Sequence, residues 1–228
     1  MIFFFGTSDY GSVGRVDDVV TVTSWLHVFG VPLVPLGSRV DWGDRSTRIP
    51  LQGRSIGVTV LRTWPLWVAA FVFGIGFPAT WVSVVVTMLW IPGVAASVLL
   101  ARPSLEARAR RLCYAEIVGF PIDVVHLVND NDRRDALTRF VEKRTPELTE
   151  MGYREAVTSW VDPVKRGLIT DREVLVAALT LSRFERAAAT SPSRRRDWDA
   201  VGNVAFAALS RVDPEVMARA RKSALARR

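Results

Sequence analysis

The 228-residue sequence has one cysteine and two histidines. A single cysteine, Cys113, excludes an intramolecular disulfide and every zinc site that needs two or more cysteine ligands. Cys113 falls on the apolar stripe of a predicted helix, which indicates a small buried residue rather than a nucleophile. The cysteine and histidine content therefore predicts no metal and no cofactor.

The sequence also lacks the common catalytic motifs: H-E-x-x-H, G-x-S-x-G and the phosphate-binding G-x-x-x-x-G-K-[ST] are all absent. No catalytic residue is predicted. His27 is the one candidate for a ligand or a pH-sensitive group. A half-buried strand histidine with one hydrogen bond is the favoured interpretation, because metal sites need a cluster and His126 is the only other histidine.

Charge is missing over one long stretch. The 39 residues from Thr63 to Ala101 contain no Asp, Glu, Lys, Arg or His. One membrane crossing needs about 20 apolar residues, so this length fits two crossings. We predict two transmembrane helices, at about 56–76 and 79–101, joined by a turn at 74–78 where glycines and a proline cluster. Within the second helix, Pro92-Gly93 predicts a kink or a packing notch.

The ends of the uncharged stretch carry residue types that anchor helices at a membrane surface. Arginines lie near the outer ends and none lies in the turn, so the positive-inside rule predicts that both termini are cytoplasmic. The predicted membrane-interface residues are Trp64, Trp67, Trp81, Arg62 and Arg102. Arginine outnumbers lysine 27 to 3, which is typical of GC-rich bacteria, and the expected location is a bacterial inner membrane.

Residues 1–54 alternate short β-branched or apolar runs with turn signals and predict a small, mostly antiparallel β module. Turns are expected at 9–12, 36–38 and 42–44. The glycines at 6, 11 and 14 are interpreted as turn residues rather than as a phosphate loop. The predicted strand segments are Ile2–Phe5, Val19–Val22, Trp25–Phe29, Val31–Val34 and Val40–Trp42.

This module contains a recognisable series of short motifs: Phe3-Phe4-Phe5-Gly6-Thr7, Tyr10-Gly11, Val22-Thr23, His27, Pro32-Leu33, Pro35 and Ser38. The series, about 40 residues long, resembles the opening of uncharacterised bacterial membrane proteins. The resemblance implies a short β module followed by a transmembrane segment and a variable cytoplasmic tail, with no established activity. Some of those proteins carry a zinc ribbon, but its Cys-x-x-Cys pair is missing here, so the metal does not carry over.

Residues 102–228 predict an all-α cytoplasmic domain, because amphipathic segments alternate with helix-start and helix-stop signals. One helix opens after Pro103 and closes at 119–121, and a second, at about 132–144, restarts at Thr145-Pro146. Thr170 to Glu173 matches a capping box. The remaining helices are expected at 153–160, 171–189, 195–211 and from 213 onward.

This tail holds 24 Lys and Arg against 18 Asp and Glu, so it carries most of the net charge of +7. Beside a membrane segment, the positive-inside rule and contact with anionic lipid explain the excess without nucleic acid. The favoured function is a non-catalytic, membrane-anchored interaction protein or accessory subunit, whose partners are the lipid bilayer and another protein.

Two alternatives stay open. One is an enzyme acting on a lipid or membrane-surface substrate, with a site that joins His27 to carboxylates of the tail. The other is an adaptor that binds nucleic acid or signalling proteins through the basic tail, with an affinity that falls steeply with salt.

Overall fold

The computed structural model describes residues 5–28, 31–42, 45–74, 79–127, 130–149 and 160–225. The protein is α+β, as predicted, with a four-stranded antiparallel sheet followed by helices. The chain forms two compact units, residues 1–104 and 105–228. The first unit holds the sheet and two helices, and the second is helical in its described part. The predicted division of the first unit at residue 54 stays a prediction.

The sheet consists of β1 (Phe5–Val16), β2 (Val19–Val28), β3 (Val31–Trp42) and β4 (Arg45–Ile49), in that order. A two-residue turn at Asp17-Asp18 joins β1 to β2, and Asp17 has a φ of 48°, a left-handed conformation that aspartate tolerates. Along β2, every second residue from Val19 to Trp25 is buried. This alternation gives the sheet one inner face.

Two of the three predicted turns in this module are wrong. β1 runs through residues 9–12 and β3 runs through residues 36–38, so both segments are strand. In β1, Gly11 (φ 67°) and Gly14 (φ 64°) lie where the pairing register with β2 shifts. These glycines mark β-bulges inside one long strand, which in sequence look like chain reversals. The strand β4 lies outside every predicted run.

The third predicted turn separates β3 from β4, and its residues 43 and 44 lie outside the described part. Residues 2–4 of the predicted strand segment Ile2–Phe5 also lie outside the described part.

Two helices follow the sheet, α1 (Gly53–Gly74) and α2 (Ala79–Ala101). They run antiparallel and contact each other along their length. Near one end, Arg54 Nη2 donates to the carbonyl oxygen of Arg102 at 2.6 Å. Residues 75–78 of the predicted turn lie outside the described part of the chain.

Further along the helix pair, Gly93 of α2 meets the backbone of α1. A Cβ at this position would lie 2.6 Å from the carbonyl oxygen of Leu61, so only glycine permits this approach. The packing notch predicted at Pro92-Gly93 is confirmed at Gly93.

A chain of hydroxyl groups attaches the start of α1 to the inner face of the sheet. The Gln52 N–H donates to Ser38 Oγ at 3.0 Å, and Ser38 Oγ lies 2.8 Å from Thr23 Oγ1. Thr23 Oγ1 donates to Ser55 Oγ at 2.8 Å, and Ser55 Oγ donates to the Gly11 carbonyl oxygen at 2.5 Å. Because each hydroxyl has one hydrogen, Ser38 is the donor to Thr23 and the whole chain points one way.

Gly11 permits this attachment for two reasons. Its positive φ is a conformation that side chains disfavour. A Cβ there would also lie 2.2 Å from the Ser55 carbonyl oxygen and 2.3 Å from Thr59 Oγ1. The amino end of α1 therefore rests directly on β1.

The second unit is built around one buried helix. Its elements are α3 (Leu105–Val118), a 3₁₀ turn (Val124–Leu127), α4 (Asn131–Thr149), α5 (Val161–Lys165), α6 (Arg172–Ala188), α7 (Pro192–Val212) and α8 (Glu215–Leu225). In α6, every residue from Val174 to Ser182 is buried. A helix that is apolar on all sides needs neighbours on all sides, and α3, α4 and α7 pack around it.

The helix signals of the tail locate most of these elements within a few residues, and three details differ. The short helix α5 (Val161–Lys165) lies outside every predicted helix. α4 continues through Pro146 instead of restarting there, because this proline falls in the last turns of the helix and only one backbone hydrogen bond is lost. The N-cap of α6 is Asp171 rather than Thr170, and its carboxylate accepts from the Val174 N–H at 3.0 Å. Of the predicted helix at 153–160, only the last residue lies in the described part.

Candidate functional site

α2 provides the evidence for membrane association. Among the described residues, one helical stretch, Val86–Val118, is long and apolar enough to cross a membrane, with a mean hydropathy of 1.4. Its apolar part belongs to α2, because α3 begins at Leu105 and carries Glu106 and three arginines. Only 6% of the apolar window is buried. Two crossings are predicted and one candidate span is found, so the second crossing stays a prediction.

The exposed side chains of α1 and α2 are mostly large and apolar. Phe71 is 69% exposed, Met88 is 72% exposed and Leu99 is 73% exposed. The same surface includes Trp64, Trp81, Val84, Leu89, Trp90, Ile91 and Leu100. Exposing so much apolar area to water is unfavourable, and patches of this kind mark contact with lipid or with another protein.

The predicted membrane-interface residues all lie on or beside this helix pair. Trp64 and Trp81 are exposed, and Trp67 is half-buried. Arg62 reaches across to α2, where its Nε donates to Ser97 Oγ at 2.9 Å. Arg102 is exposed just after α2. Their role at a membrane surface stays a prediction.

An apolar groove of about 380 Å³ lies where β3 meets α1. Its lining is Pro32, Leu33, Trp64, Trp67, Val68 and Phe71. Beside it, Leu33, Val34 and Leu36 of β3 are 47%, 50% and 55% exposed. Leu33 belongs both to the groove lining and to this exposed part of β3.

His27 lies half-buried on β2, as predicted, and its expected hydrogen bond stays a prediction. Its ring meets Tyr10 edge to face, with centroids 6.4 Å apart, and its Nε2 faces Gly6. Its Nδ1 is buried without a hydrogen-bond partner. In the parts of the chain that the structure describes, no group of three or more His, Cys, Asp or Glu residues is placed to hold a metal ion.

The second unit contains a pocket of about 210 Å³ between α3, α6 and α7 that the sequence analysis missed. Four arginines line it, Arg110, Arg111, Arg183 and Arg186. Two aspartates, Asp123 and Asp199, also line it. We call this cavity the arginine pocket.

The best-defined ion pair of the arginine pocket joins Arg183 to Asp123. The guanidinium donates from Nε and Nη2 to the two carboxylate oxygens at 2.9 and 2.6 Å. Burial disfavours the charged carboxylate, but the hydrogen bonds and charge of Arg183 outweigh it, so the pKa of Asp123 lies below its ordinary value. The same hydrogen bonds raise the pKa of Arg183. Both groups are therefore charged at neutral pH.

Neighbouring groups also fix two of the other guanidinium groups of the pocket, those of Arg110 and Arg186. Arg110 Nη2 donates to Glu106 Oε1 at 2.6 Å and to Asn203 Oδ1 at 2.8 Å. The Arg110 guanidinium carbon also lies 4.7 Å from the ring centroid of Phe206, a cation–π contact. Arg186 pairs with Asp199.

An aromatic side chain completes the wall of the pocket. Trp198 lines it and stacks on Trp160, with ring centroids 5.9 Å apart and planes inclined by 26°. A sequence signal for this site exists in α6. Arg183 and Arg186 are three residues apart, so they share a helix face, and they follow a run of buried residues.

No protein-family model, curated protein or solved structure matches this chain. The function is therefore inferred from the apolar helix pair and the apolar groove of the first unit.

Proposed function

We propose that this protein is a non-catalytic, membrane-anchored interaction protein and an accessory subunit of a larger membrane assembly. In this proposal α1 and α2 cross a bacterial inner membrane as a hairpin, and both termini are cytoplasmic. The observation that carries the proposal is the exposed apolar surface of the helix pair, with Phe71, Met88 and Leu99 at its most exposed positions. This surface belongs to a stretch without charge from Thr63 to Ala101.

The polar groups of the helix pair support this placement. Within a helix, the backbone N–H and C=O groups form hydrogen bonds with each other, as the backbone of any segment in hydrocarbon must. The side-chain hydroxyls also have partners within the pair. Thr63 Oγ1 donates to the Thr59 carbonyl oxygen at 2.9 Å, and Ser97 Oγ donates to the Val94 carbonyl oxygen at 2.7 Å. Moving these groups from water to lipid therefore leaves few hydrogen bonds unmade.

Charge distribution supports the orientation. Arg54 and Arg62 lie in the first half of α1, and Arg102 follows α2 directly. The connection between the helices has no charged residue. Cytoplasmic segments beside membrane helices are rich in arginine and lysine, so the arginine-bearing ends belong on the cytoplasmic side.

The apolar groove supports the interaction role. Leu33 and Leu36, in the first half of β3, leave about half of their surface exposed, and Leu33 also lines the groove beside α1. A contiguous exposed apolar patch of this kind is typical of protein–protein contacts. We propose that the partner subunit covers β3 and the adjoining part of α1.

Alkaline carbonate extraction of native membranes tests the anchor: the protein is expected in the membrane pellet. Topology is tested with a membrane-impermeant maleimide on the variants Gly76→Cys and Leu225→Cys in intact cells. Cys113 is buried, so the introduced thiol dominates the labelling. We expect labelling at position 76 in intact cells and at position 225 only after permeabilisation. Release by carbonate, or the reverse labelling, contradicts the proposal.

Mild-detergent purification of the tagged protein from its own cells tests the partner. The wild type is expected in a complex larger than its own 25.4 kDa mass. Replacing Leu33 and Leu36 by serine removes the apolar patch and should release the partner. Leu225→Ser is the matched control, because Leu225 is 62% exposed but lies on α8. A wild-type protein that elutes alone contradicts the interaction role.

A further inference from the structure

We infer that the arginine pocket of the second unit binds a phosphate group, presented by a small phosphate monoester or by a lipid headgroup. The inference rests on four arginines around one cavity of about 210 Å³. It is independent of the membrane anchor, because every residue that carries it belongs to the unit of residues 105–228.

The charge of the pocket selects an anion. Its lining has four arginines against two aspartates, an excess of two positive charges. Glu106 lies outside the lining and pairs with Arg110. When its charge is counted too, the positive charges still outnumber the negative ones. Charges in a concave, partly dehydrated site interact more strongly than on an open surface, so this excess attracts an anionic ligand.

Two of the four arginines, Arg183 and Arg110, are held in place by neighbouring groups. Arg183 is fixed by its two hydrogen bonds to Asp123, and its side chain is 27% exposed. Arg110 is fixed by Glu106, Asn203 and the ring of Phe206, and its side chain is 23% exposed. Each guanidinium has five N–H donors in a planar fork, which suits the tetrahedral oxygens of phosphate. Fixing the forks in advance lowers the entropic cost of binding.

The size of the pocket limits the ligand. Sites for drug-sized molecules have volumes of about 300–1,000 Å³, and this pocket is smaller. It has room for a phosphate group and a small organic part. Trp198 and Tyr114 supply an apolar wall for that part, and Ser182 adds a hydroxyl to the lining.

The test uses the full-length protein in nanodiscs of phosphatidylcholine, titrated by calorimetry with inorganic phosphate, glycerol 3-phosphate and glycerol. We expect saturable binding of the two phosphate probes and none of glycerol. Replacing Arg111 and Arg186 by glutamine should weaken binding by more than about tenfold, because charge-assisted hydrogen bonds are lost. The matched control replaces Arg194 and Arg196, exposed at the start of α7, by glutamine and should bind as the wild type does.

A second variant tests whether weaker binding of the first is caused by misfolding. Ala107→Leu fills the pocket and leaves its charge unchanged, so it should also weaken binding while the melting temperature is kept. The source of the phosphate is then identified with nanodiscs that contain phosphatidic acid. If glycerol 3-phosphate binds more weakly in these nanodiscs, the lipid headgroup competes for the pocket and is its ligand. If the binding of glycerol 3-phosphate is unchanged, the ligand is a soluble monoester. Absence of saturable phosphate binding, or equal weakening in the control, overturns the inference.

Discussion

Arg183 holds Asp123 by two hydrogen bonds, one to each carboxylate oxygen, at 2.9 and 2.6 Å. This contact links the carboxyl end of α6 to the segment that precedes the 3₁₀ turn, and it forms one wall of the arginine pocket. Because it lowers the pKa of Asp123, it ties the stability of the second unit to pH.

The first prediction concerns acid stability. A carboxylate whose pKa is lower when folded contributes its full stability above its unfolded pKa of about 3.9 and loses it as the pH falls through the folded pKa. Asp123→Asn should cost about 1–3 kcal/mol at neutral pH, since Arg183 loses a charged partner. The variant should also lose less stability than the wild type below about pH 4. Urea unfolding at pH 7 and at a series of acid pH values measures both effects. If the unfolding free energies of the two proteins change with pH in parallel, the prediction is contradicted.

The second prediction concerns the approach of α7 to α6. A Cβ on Gly202 would lie 2.8 Å from Ser182 Oγ, so Gly202→Ala should destabilise the protein by about 1–3 kcal/mol through overpacking. Ser182 Cβ is 3.7 Å away, an ordinary contact, so adding Ser182→Ala should restore most of the loss. Thermal unfolding of both single variants and the double variant measures this coupling. Additive effects would show that Ser182 Oγ is not the obstacle.

The third prediction concerns the hydroxyl chain between the sheet and α1. Thr23→Val keeps the shape of the side chain but removes the link between Ser38 and Ser55, so it should cost about 1–3 kcal/mol. Thr21→Val is the matched control, on the same strand and the same buried face. It should cost less than Thr23→Val, because the hydroxyl chain does not pass through Thr21. Thermal unfolding in detergent, followed by tryptophan fluorescence, compares the two.

The fourth prediction concerns Gly11. Alanine there meets the Ser55 carbonyl oxygen and also adopts a positive φ, so Gly11→Ala should cost more than the roughly 1–2 kcal/mol of the backbone conformation alone. Gly37, in β3 of the same sheet, has no atom within 4 Å of an added Cβ. Gly37→Ala should therefore be close to neutral. Similar melting temperatures for the two variants would mean that α1 does not rest on β1.

The sequence predicted the elements that depend on local signals. Pro103 and Gly119 enclose α3, and the last residue of the uncharged stretch, Ala101, is also the last residue of α2. Such signals act over a few residues, through backbone conformation and periodicity. Cys113 was assigned to a buried position on the same basis, and it is 1% exposed.

The features that depend on distant residues were missed. Gly11 and Gly14 suggest turns until the pairing of β1 with β2 is known, because a bulge is defined by the partner strand. The arginine pocket joins Arg110, Asp123 and Arg183 from three segments of the chain. No local pattern pairs Arg183 with Asp123, which lies 60 residues away in the sequence.

The central position of α6 has a consequence for biosynthesis. Protein chains emerge from the ribosome at about 5–20 residues per second, and amino-terminal parts fold first. α3 and α4 are synthesised before α6, so their apolar faces stay unpacked for several seconds until α6 is synthesised. The first unit has no such delay, because its sheet and helix pair are complete by residue 104. The first unit can thus fold before the arginine pocket is assembled.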